Sequence, residues 1–171
     1  MEQKKQDPPT GGCFAPDTLI LMADYTLKYI EEIKVNEFVI AYNELTAAFE
    51  PKKVTKSYVH YNTPSMIRLY FENNFILDLT PGHPLLSAID GWKSLDTQNS
   101  LYEHGTITTL LNLNDEIINI SGNSKVVGIE KLQIDDNYNS YNIEVETCHT
   151  FLANGFVVHN RKIDPHVGPD G

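Results

Sequence analysis

Residues 148–160 read CHTFLANGFVVHN, two short apolar runs that are joined by Asn154-Gly155 and closed by His159-Asn160. An Asn-Gly pair between apolar runs is typical of a tight β-hairpin turn, because both turn positions need a left-handed backbone. The sequence therefore predicts a β-hairpin that ends in the His-Asn pair.

The His-Asn pair has the groups needed for a backbone cleavage. The side-chain amide of Asn160 can attack its own main-chain carbonyl, form a succinimide and expel the amine of Arg161. Because an amide nitrogen is a poor nucleophile, the reaction needs an acid for the leaving amine and a donor for the oxyanion. His159 and His149 are suitable groups, although an isolated His-Asn pair is common by chance.

Cys13 lies far upstream and directly follows Gly11-Gly12. A thiol one residue after a carbonyl can attack it through a five-membered ring, which exchanges the amide for a thioester. Glycine leaves that carbonyl open, but the exchange is uphill unless the fold distorts the amide or stabilises the oxyanion. Taken alone, such a cysteine is more often a small packed hydrophobe.

A third group is Thr80-Pro81-Gly82-His83, which follows an apolar run over residues 75–79. A hydroxyl and an imidazole three residues apart across a Pro-Gly turn can converge on one peptide bond. There they can weaken its planarity or protonate its departing nitrogen. The alternative is a Thr and a His that only satisfy the turn.

The three groups together mark both ends of residues 13–160, so the expected substrate is the chain's own backbone. Residues 1–12 and 161–171 are polar and rich in Pro and Gly, and we predict that they flank a single domain. The flanking polypeptides are then its natural partners, with an external amine or thiol as a second nucleophile.

Between the flanks, short apolar and β-branched runs alternate with turn residues, which predicts an all-β domain with at most one or two short helices. Asn73-Asn74 is predicted to form a hairpin turn, and residues 27–35 alone have helical spacing. The predicted strands cover residues 18–21, 38–42, 53–59, 66–71, 75–79, 107–111, 116–120, 125–132, 140–145 and 156–158.

Composition excludes several classes of protein. The chain has 171 residues, 41% of them hydrophobic, with a formal charge of −10. This content suits one monomeric globular domain, and the acidic balance argues against nucleic-acid binding, which depends on phosphate neutralisation. There is no apolar run long enough for a membrane helix and no secretory signal at the start. Two distant cysteines suit a reducing compartment, which favours the cytoplasm.

Cys148, next to His149, leaves two alternatives open. A metal site with Cys13 and the histidines lacks any CxxC or HxxxH spacing, so we predict no metal and no cofactor. A reversible disulfide between Cys148 and Cys13 that blocks the chemistry is a minority alternative to simple packing.

Four ordered motifs resemble the intein and Hedgehog autoprocessing superfamily, which shares the Hint fold. The resemblance covers residues 13–160, and its motifs are CFAPDTLI at 13–20, LTPGHPL at 79–85, YNIEVE at 141–146 followed by HTF at 149–151, and NGFVVHN at 154–160.

The resemblance implies a horseshoe-shaped β domain in which the first and last segments meet. It implies that Cys13 is the nucleophile of an N–S acyl shift at Gly12, and that Thr80 and His83 activate this amide. It further implies that Asn160 cyclises with help from His159 and His149. Such a domain acts once on itself, as a self-cleaving protein rather than a multiple-turnover enzyme.

The chain departs from inteins in three ways. Arg161 stands where an intein has Cys, Ser or Thr, so transesterification to the downstream flank is not available. Asn142 occupies a position that is commonly Asp, and the segment between His83 and Tyr141 is too short for a homing endonuclease. These departures are most similar to bacterial-intein-like domains of type A, which cleave more readily than they splice.

The upstream flank resembles a further feature of such proteins. Thr10-Gly11-Gly12 is similar to the diglycine tail of ubiquitin-like proteins, whose polyubiquitin-like precursors contain intein-like domains. A Gly12 thioester is a species that an external amine can capture.

Three other functions remain as alternatives. Low-efficiency splicing would join Gly12 to Arg161 when the freed amine attacks the thioester. Sterol transfer of the Hedgehog kind requires a lipid-recognition region that the short tail after Asn160 does not provide. A catalytically silent β spacer or binding module would leave the chain intact regardless of Cys13.

Overall fold

A computed structural model describes the backbone of residues 5–6 and the whole of residues 13–160. Strands dominate this part of the chain, in which the single α-helix is α1 (Thr97–His104) and the two 3₁₀ turns are Ile30–Glu32 and Glu72–Asn74. The strands are β1 (Lys5–Gln6), β2 (Leu19–Leu21), β3 (Leu27–Tyr29), β4 (Phe38–Asn43), β5 (Ala48–His60), β6 (Ile67–Phe71), β7 (Ile76–Leu79), β8 (Leu85–Ser87), β9 (Gly91–Ser94), β10 (Thr109–Leu110), β11 (Glu116–Ile117), β12 (Ser124–Lys131), β13 (Ser140–Val145), β14 (Thr150–Ala153) and β15 (Phe156–His159). The prediction of an all-β domain with at most one or two short helices is confirmed.

The strands form two sheets. The larger has the order β3-β2-β14-β15-β8-β11-β12-β6-β7, with β9 on β8 and β10 on β9. The smaller is built on the long strand β5, whose first half pairs with β4 and whose second half pairs with β13, while β1 pairs with β5 in parallel.

Phe14 joins the two sheets. It forms bridges to Leu79 at the end of β7 in the larger sheet and to Tyr141 on β13 in the smaller one. Its N–H donates to the Tyr141 carbonyl and its carbonyl accepts from the Tyr141 N–H, both at 2.8 Å. The residue after Cys13 is thus fixed where the two sheets meet.

The main hydrophobic core lies around that junction. The Phe14 ring is fully buried and packs edge-on against Phe151 at a centroid distance of 5.7 Å. Phe156 stacks on Phe71 at 4.0 Å in the same core. Burial of aromatic rings contributes strongly to stability, so this core holds the first strands and the last hairpin together.

Both predicted hairpin turns are confirmed. Asn154 and Gly155 have φ angles of 50° and 85° and connect β14 to β15. Asn73 and Asn74, with φ angles of 65° and 66°, connect β6 to β7. Asparagine and glycine tolerate this left-handed backbone better than other residues.

The structure corrects two local predictions. The segment predicted as a helix, residues 27–35, instead begins with β3 and continues as the 3₁₀ turn Ile30–Glu32. Leu27 lies on a short strand that pairs with β2, whereas Ile30 lies in the 3₁₀ turn and Ile33 directly after it, so they do not share one α-helical face. The α-helix lies at Thr97–His104, which the sequence did not predict as helical.

The strands predicted at residues 107–111 and 116–120 are reduced to the two-residue strands β10 and β11. Within the described residues, none of the helices is both long and apolar enough to span a membrane.

Candidate functional site

Cys13 is fully buried and contacts the turn that follows β7. Its N–H donates to Thr80 Oγ1 at 2.9 Å, and its carbonyl accepts from the Thr80 N–H at 2.9 Å. The Thr80 hydroxyl also lies 3.4 Å from the Cys13 carbonyl oxygen. The nitrogen of the Gly12-Cys13 peptide bond therefore has a hydroxyl oxygen as its hydrogen-bond partner.

The same turn reaches the other end of the domain through His83. The His83 N–H donates to the Thr80 carbonyl at 3.1 Å, which closes the turn. The buried imidazole packs on the ring of Phe14 at a centroid distance of 4.1 Å, and its Nε2 lies 2.8 Å from the His159 carbonyl oxygen. Because a carbonyl oxygen only accepts, His83 donates from Nε2.

Asn160 is fully buried at the end of β15 and is held through both its side chain and its main chain. Its Oδ1 accepts from the Val145 N–H at 2.8 Å, and its own N–H donates to the His149 carbonyl at 2.8 Å. Since one atom of the planar side-chain amide is fixed, the orientation of the amide nitrogen beside it is restricted too.

The main-chain carbonyl of Asn160 faces two imidazoles. His159 Nδ1 lies 2.7 Å from its oxygen and His104 Nδ1 lies 3.3 Å from the same atom. Both rings must carry a hydrogen on Nδ1 to make these contacts. At the far side of the His159 ring, Nε2 lies 3.3 Å from the Thr106 hydroxyl, which is also 3.3 Å from the His104 carbonyl oxygen.

His149 is close to Asn160 through its main chain. It has a left-handed backbone, with φ of 55°, in the connection between β13 and β14. This conformation points its carbonyl at the Asn160 N–H. A left-handed backbone is uncommon for residues other than glycine, but histidine adopts it more often than most, as asparagine and aspartate do.

Asn142 and Cys148 differ in their relation to this site. Asn142 is buried on β13, next to the residue that pairs with Phe14, and its Oδ1 accepts from the Ile143 N–H at 2.9 Å. Cys148 Sγ lies 3.8 Å from Glu50 Oε1, and burial and the Glu50 carboxylate raise the pKa of its thiol. Neither Cys13 nor Cys148 is in a disulfide.

Sequence reasoning missed helix α1 and the histidine at its end. The helix begins after Asp96, whose carboxylate caps the Asn99 N–H at 3.1 Å, and ends at Gly105, which has a φ of 65°. An aspartate N-cap and a glycine nine residues later are ordinary helix boundary signals. They were missed because the buried residues of α1 are Ser100, Glu103 and His104, which have no apolar periodicity.

The helix packs tightly on the Thr80–His83 turn through Gly82. A Cβ at Gly82 would lie 2.8 Å from Asn99 Cβ and 3.0 Å from Glu103 Oε1, so only glycine permits this approach. The Ser100 hydroxyl donates to the Gly82 carbonyl at 2.7 Å, and the Pro81 carbonyl accepts from the Asp96 N–H at 3.1 Å. Helix α1 therefore supports the turn that contacts both ends of the domain.

Residues Gly12 and Arg161, which complete the two peptide bonds of interest, lie outside the described residues. Across residues 13–160 there is no group of three or more His, Cys, Asp or Glu side chains that could hold a metal ion. The chemistry that this arrangement can support is that of a thiol, a carboxamide and imidazoles acting on backbone carbonyls.

Comparison with known proteins identifies similar folds but no sequence family. No family model and no curated protein matches the chain. The solution structure of a bacterial intein-like domain from Clostridium thermocellum is similar, with 26% identity, a TM-score of 0.71, and coverage of 86% of this chain and 98% of that one.

Two intein structures are similar as well. The Ssp DnaB mini-intein variant M86 is 19% identical, with a TM-score of 0.74 over 95% of this chain and 99% of that one. A DnaB intein from Synechocystis sp. PCC 6803 is 24% identical, with a TM-score of 0.67 over 88% and 99% of the two chains. Because its all-β fold matches all three structures over nearly their full length, and the bacterial intein-like domain is also 26% identical, the chain belongs to the intein (Hint) superfamily.

Proposed function

We propose that residues 13–160 form a single-turnover autoprocessing domain that cleaves the chain from residues 1–12 and from residues 161–171. The observation that carries the proposal is that one turn contacts both ends of the domain. Thr80 binds the N–H of Cys13, and His83 binds the carbonyl of His159. A turn that only closed a loop would not need polar contacts to both termini.

At the upstream end, the Cys13 thiolate attacks the Gly12 carbonyl carbon. The carbon–sulfur bond forms, the carbon–nitrogen bond breaks, and the Cys13 nitrogen leaves as an amine that takes up a proton. Thr80 Oγ1 lies 2.9 Å from that nitrogen, so its hydroxyl orients the leaving group. His83, three residues along the same turn, is the proposed proton source.

At the downstream end, Asn160 Nδ2 attacks the Asn160 carbonyl carbon. A ring carbon–nitrogen bond forms and the bond to Arg161 breaks. Nδ2 loses one proton and the departing Arg161 amine gains one, so that Asn160 ends as a C-terminal succinimide. Val145 holds the side-chain oxygen, and His159 Nδ1 donates to the carbonyl oxygen on which negative charge develops. His149 anchors the main chain of Asn160.

The residue after Asn160 favours cleavage over splicing. Arg161 has no side-chain nucleophile, so a thioester at Gly12 has no transesterification partner downstream. We therefore propose that the thioester is resolved by water, a thiol or an external amine. This is the behaviour of type A bacterial-intein-like domains, and a bacterial intein-like domain is among the structures with the same fold.

The flank that is released upstream ends in Thr10-Gly11-Gly12. We propose that this tail is matured as in a polyubiquitin-like precursor, so that an amine captured by the thioester becomes joined to Gly12. The reaction needs a reduced Cys13 thiol, which fits a reducing compartment.

Intact-mass spectrometry of the full chain over time tests the function. We expect thiol or hydroxylamine to release residues 1–12, and we expect a species ending at Asn160 that is one water lighter than the hydrolysis product. Cys13→Ala should abolish only the first cleavage and Asn160→Ala only the second. A chain that stays whole under all conditions contradicts the proposal, and a product with Gly12 joined to Arg161 identifies splicing instead.

A further inference from the structure

We propose that His104, at the end of α1, is a catalytic residue for cleavage after Asn160, where it is the second hydrogen-bond donor of an oxyanion site. The inference deepens the proposed function and rests on it. It starts from one distance, the 3.3 Å between His104 Nδ1 and the main-chain carbonyl oxygen of Asn160. That oxygen belongs to the carbonyl that the Asn160 side chain attacks.

The position of His104 is set by the fold rather than by a mobile loop. The residue is fully buried at the last position of α1, and the helix ends beside it in the left-handed Gly105, whose N–H donates to the Leu101 carbonyl at 3.0 Å. Its ring packs edge-on against His83 at a centroid distance of 4.7 Å. A side chain that is buried at a helix end and packed against a second ring is preorganised, as an oxyanion donor has to be.

Two donors on one carbonyl oxygen suit the charge that develops during cyclisation. When Asn160 Nδ2 attacks, the carbonyl carbon becomes tetrahedral and its oxygen takes the negative charge. His159 Nδ1, at 2.7 Å, and His104 Nδ1, at 3.3 Å, both point at this oxygen from separate elements, β15 and α1. The longer contact can shorten as the oxygen moves out of the amide plane. The distance that matters for stabilising the oxyanion is the distance to that later position.

Of the two candidate cleavage sites, His104 directly contacts the one after Asn160. His159 and His83 belong to motifs that the sequence already marked, whereas His104 lies on a helix whose sequence carries no such motif. His104 Nδ1 reaches the Asn160 carbonyl oxygen, whereas the main-chain N–H and carbonyl of Cys13 bond to Thr80. Because the His104 ring also packs on His83, loss of the imidazole should slow the downstream cleavage much more than the upstream thioester step.

The test compares two variants of the full chain by intact mass. In His104→Asn the side-chain amide nitrogen occupies the place of Nδ1 and retains the donor, whereas His104→Leu fills the space without a donor. We expect His104→Leu to cleave after Asn160 about 100-fold more slowly, the effect of losing one oxyanion donor, and His104→Asn to recover most of that rate. In His104→Leu, hydroxylamine release of residues 1–12 should slow far less than cleavage after Asn160, and in His104→Asn it should slow no more than it does in His104→Leu.

Three results would overturn the role of His104. Wild-type rates in His104→Leu would show that the donor is dispensable. Equal losses of the rate of cleavage after Asn160 in His104→Asn and His104→Leu would show that the imidazole only packs. Equal losses of rate for the release of residues 1–12 and for cleavage after Asn160 would show that the substitution displaces α1 rather than removing a donor. In each case wild-type cleavage after Asn160 still supports the proposed function, whereas its absence in the wild type removes the function itself.

A second measurement does not depend on cleavage. In the uncleavable Asn160→Ala chain the main-chain carbonyl of residue 160 is retained, so nitrogen-15 spectra of the imidazoles report the His104 tautomer. We expect the hydrogen on Nδ1, since only that tautomer donates to the carbonyl. A neutral ring with its hydrogen on Nε2 would contradict the proposal even if the variants are slow.

Discussion

The hydroxyl of Thr80 lies at the nitrogen of one candidate scissile bond, and its contribution can be isolated by substitution. Thr80→Val keeps the shape of the side chain but leaves the buried N–H of Cys13 without its acceptor. We expect hydroxylamine release of residues 1–12 to slow about 10-fold, as for one lost hydrogen bond of about 1.4 kcal/mol, while cleavage after Asn160 continues.

Thr80→Ser is the matched control for that prediction, because it keeps the oxygen and removes only a methyl group. Rates are read from intact mass, and a circular-dichroism melt shows whether each variant is folded. A Thr80→Val chain that releases residues 1–12 as fast as the wild type would exclude Thr80 from the upstream step.

The surroundings of Cys148 change the pKa of its thiol. Burial, and then the negative charge of Glu50, raise the pKa of its thiol. Both disfavour the thiolate, so the thiolate of Cys148 should form at higher pH in the folded chain than in the unfolded chain. In Cys13→Ala, where Cys148 is the remaining thiol, we expect the midpoint of iodoacetamide reactivity to lie higher in native buffer than in urea.

Glu50→Gln should lower the native midpoint only part of the way, because burial is the larger cause. A native midpoint at or below that in urea would contradict the assignment. A thiol with a raised pKa is a poor partner for thiol–disulfide exchange near neutral pH, which argues against a fast disulfide switch with Cys13.

At the scale of elements, α1 acts as a support for the Thr80–His83 turn. Its buried face is polar, with Ser100, Glu103 and His104 all turned inward. The hydroxyl of Ser100 is bonded to the Gly82 carbonyl and, at 2.6 Å, to the Ser94 hydroxyl. The helix therefore docks through hydrogen bonds and one close glycine contact rather than through an apolar stripe.

Gly82→Ala tests that docking. The new Cβ would lie 2.8 Å from Asn99 Cβ, so the helix or the turn has to move. We expect a loss of about 1–3 kcal/mol in the free energy of unfolding, as for overpacking, and slower cleavage at both ends because the turn contacts both. Urea denaturation and intact-mass kinetics measure the two effects.

Gly91→Ala is the control for Gly82→Ala. A Cβ at Gly91 meets no atom within 4 Å, although its φ of +78° is unfavourable for alanine. That variant should lose about 1 kcal/mol through backbone strain alone and process at wild-type rates. Gly82→Ala with unaltered kinetics at both ends would show that α1 is not coupled to the site.

At the scale of the whole molecule, Phe14 connects the two sheets and the site. Its main chain bridges β7 and β13, and its ring contacts both His83 and Phe151. We expect Phe14→Ala to cost about 3–5 kcal/mol in the free energy of unfolding through the cavity it leaves.

Urea denaturation of Phe14→Ala should be compared with that of Phe38→Ala, whose ring is half-exposed on β4. Phe38→Ala should change the free energy of unfolding by no more than about 1 kcal/mol. Equal effects of the two substitutions would show that Phe14 does not hold the sheets together.

Local patterns were sufficient for much of the fold. The Asn154-Gly155 and Asn73-Asn74 turns were predictable because few residues adopt a left-handed backbone easily, and both turns are present. The helix predicted at residues 27–35 was wrong, since short apolar spacings do not separate a helix from a strand followed by a tight turn.

The sequence by itself determined the order of the marked residues, from Cys13 through Thr80 and His83 to Asn160, and the all-β class. Only the tertiary structure brought His104 to the Asn160 carbonyl and closed α1 over Gly82. The reason is physical: these contacts join residues that are distant in sequence, and a buried polar helix face leaves no periodic signal. Hydrogen-bond geometry arises only when the sheets have packed.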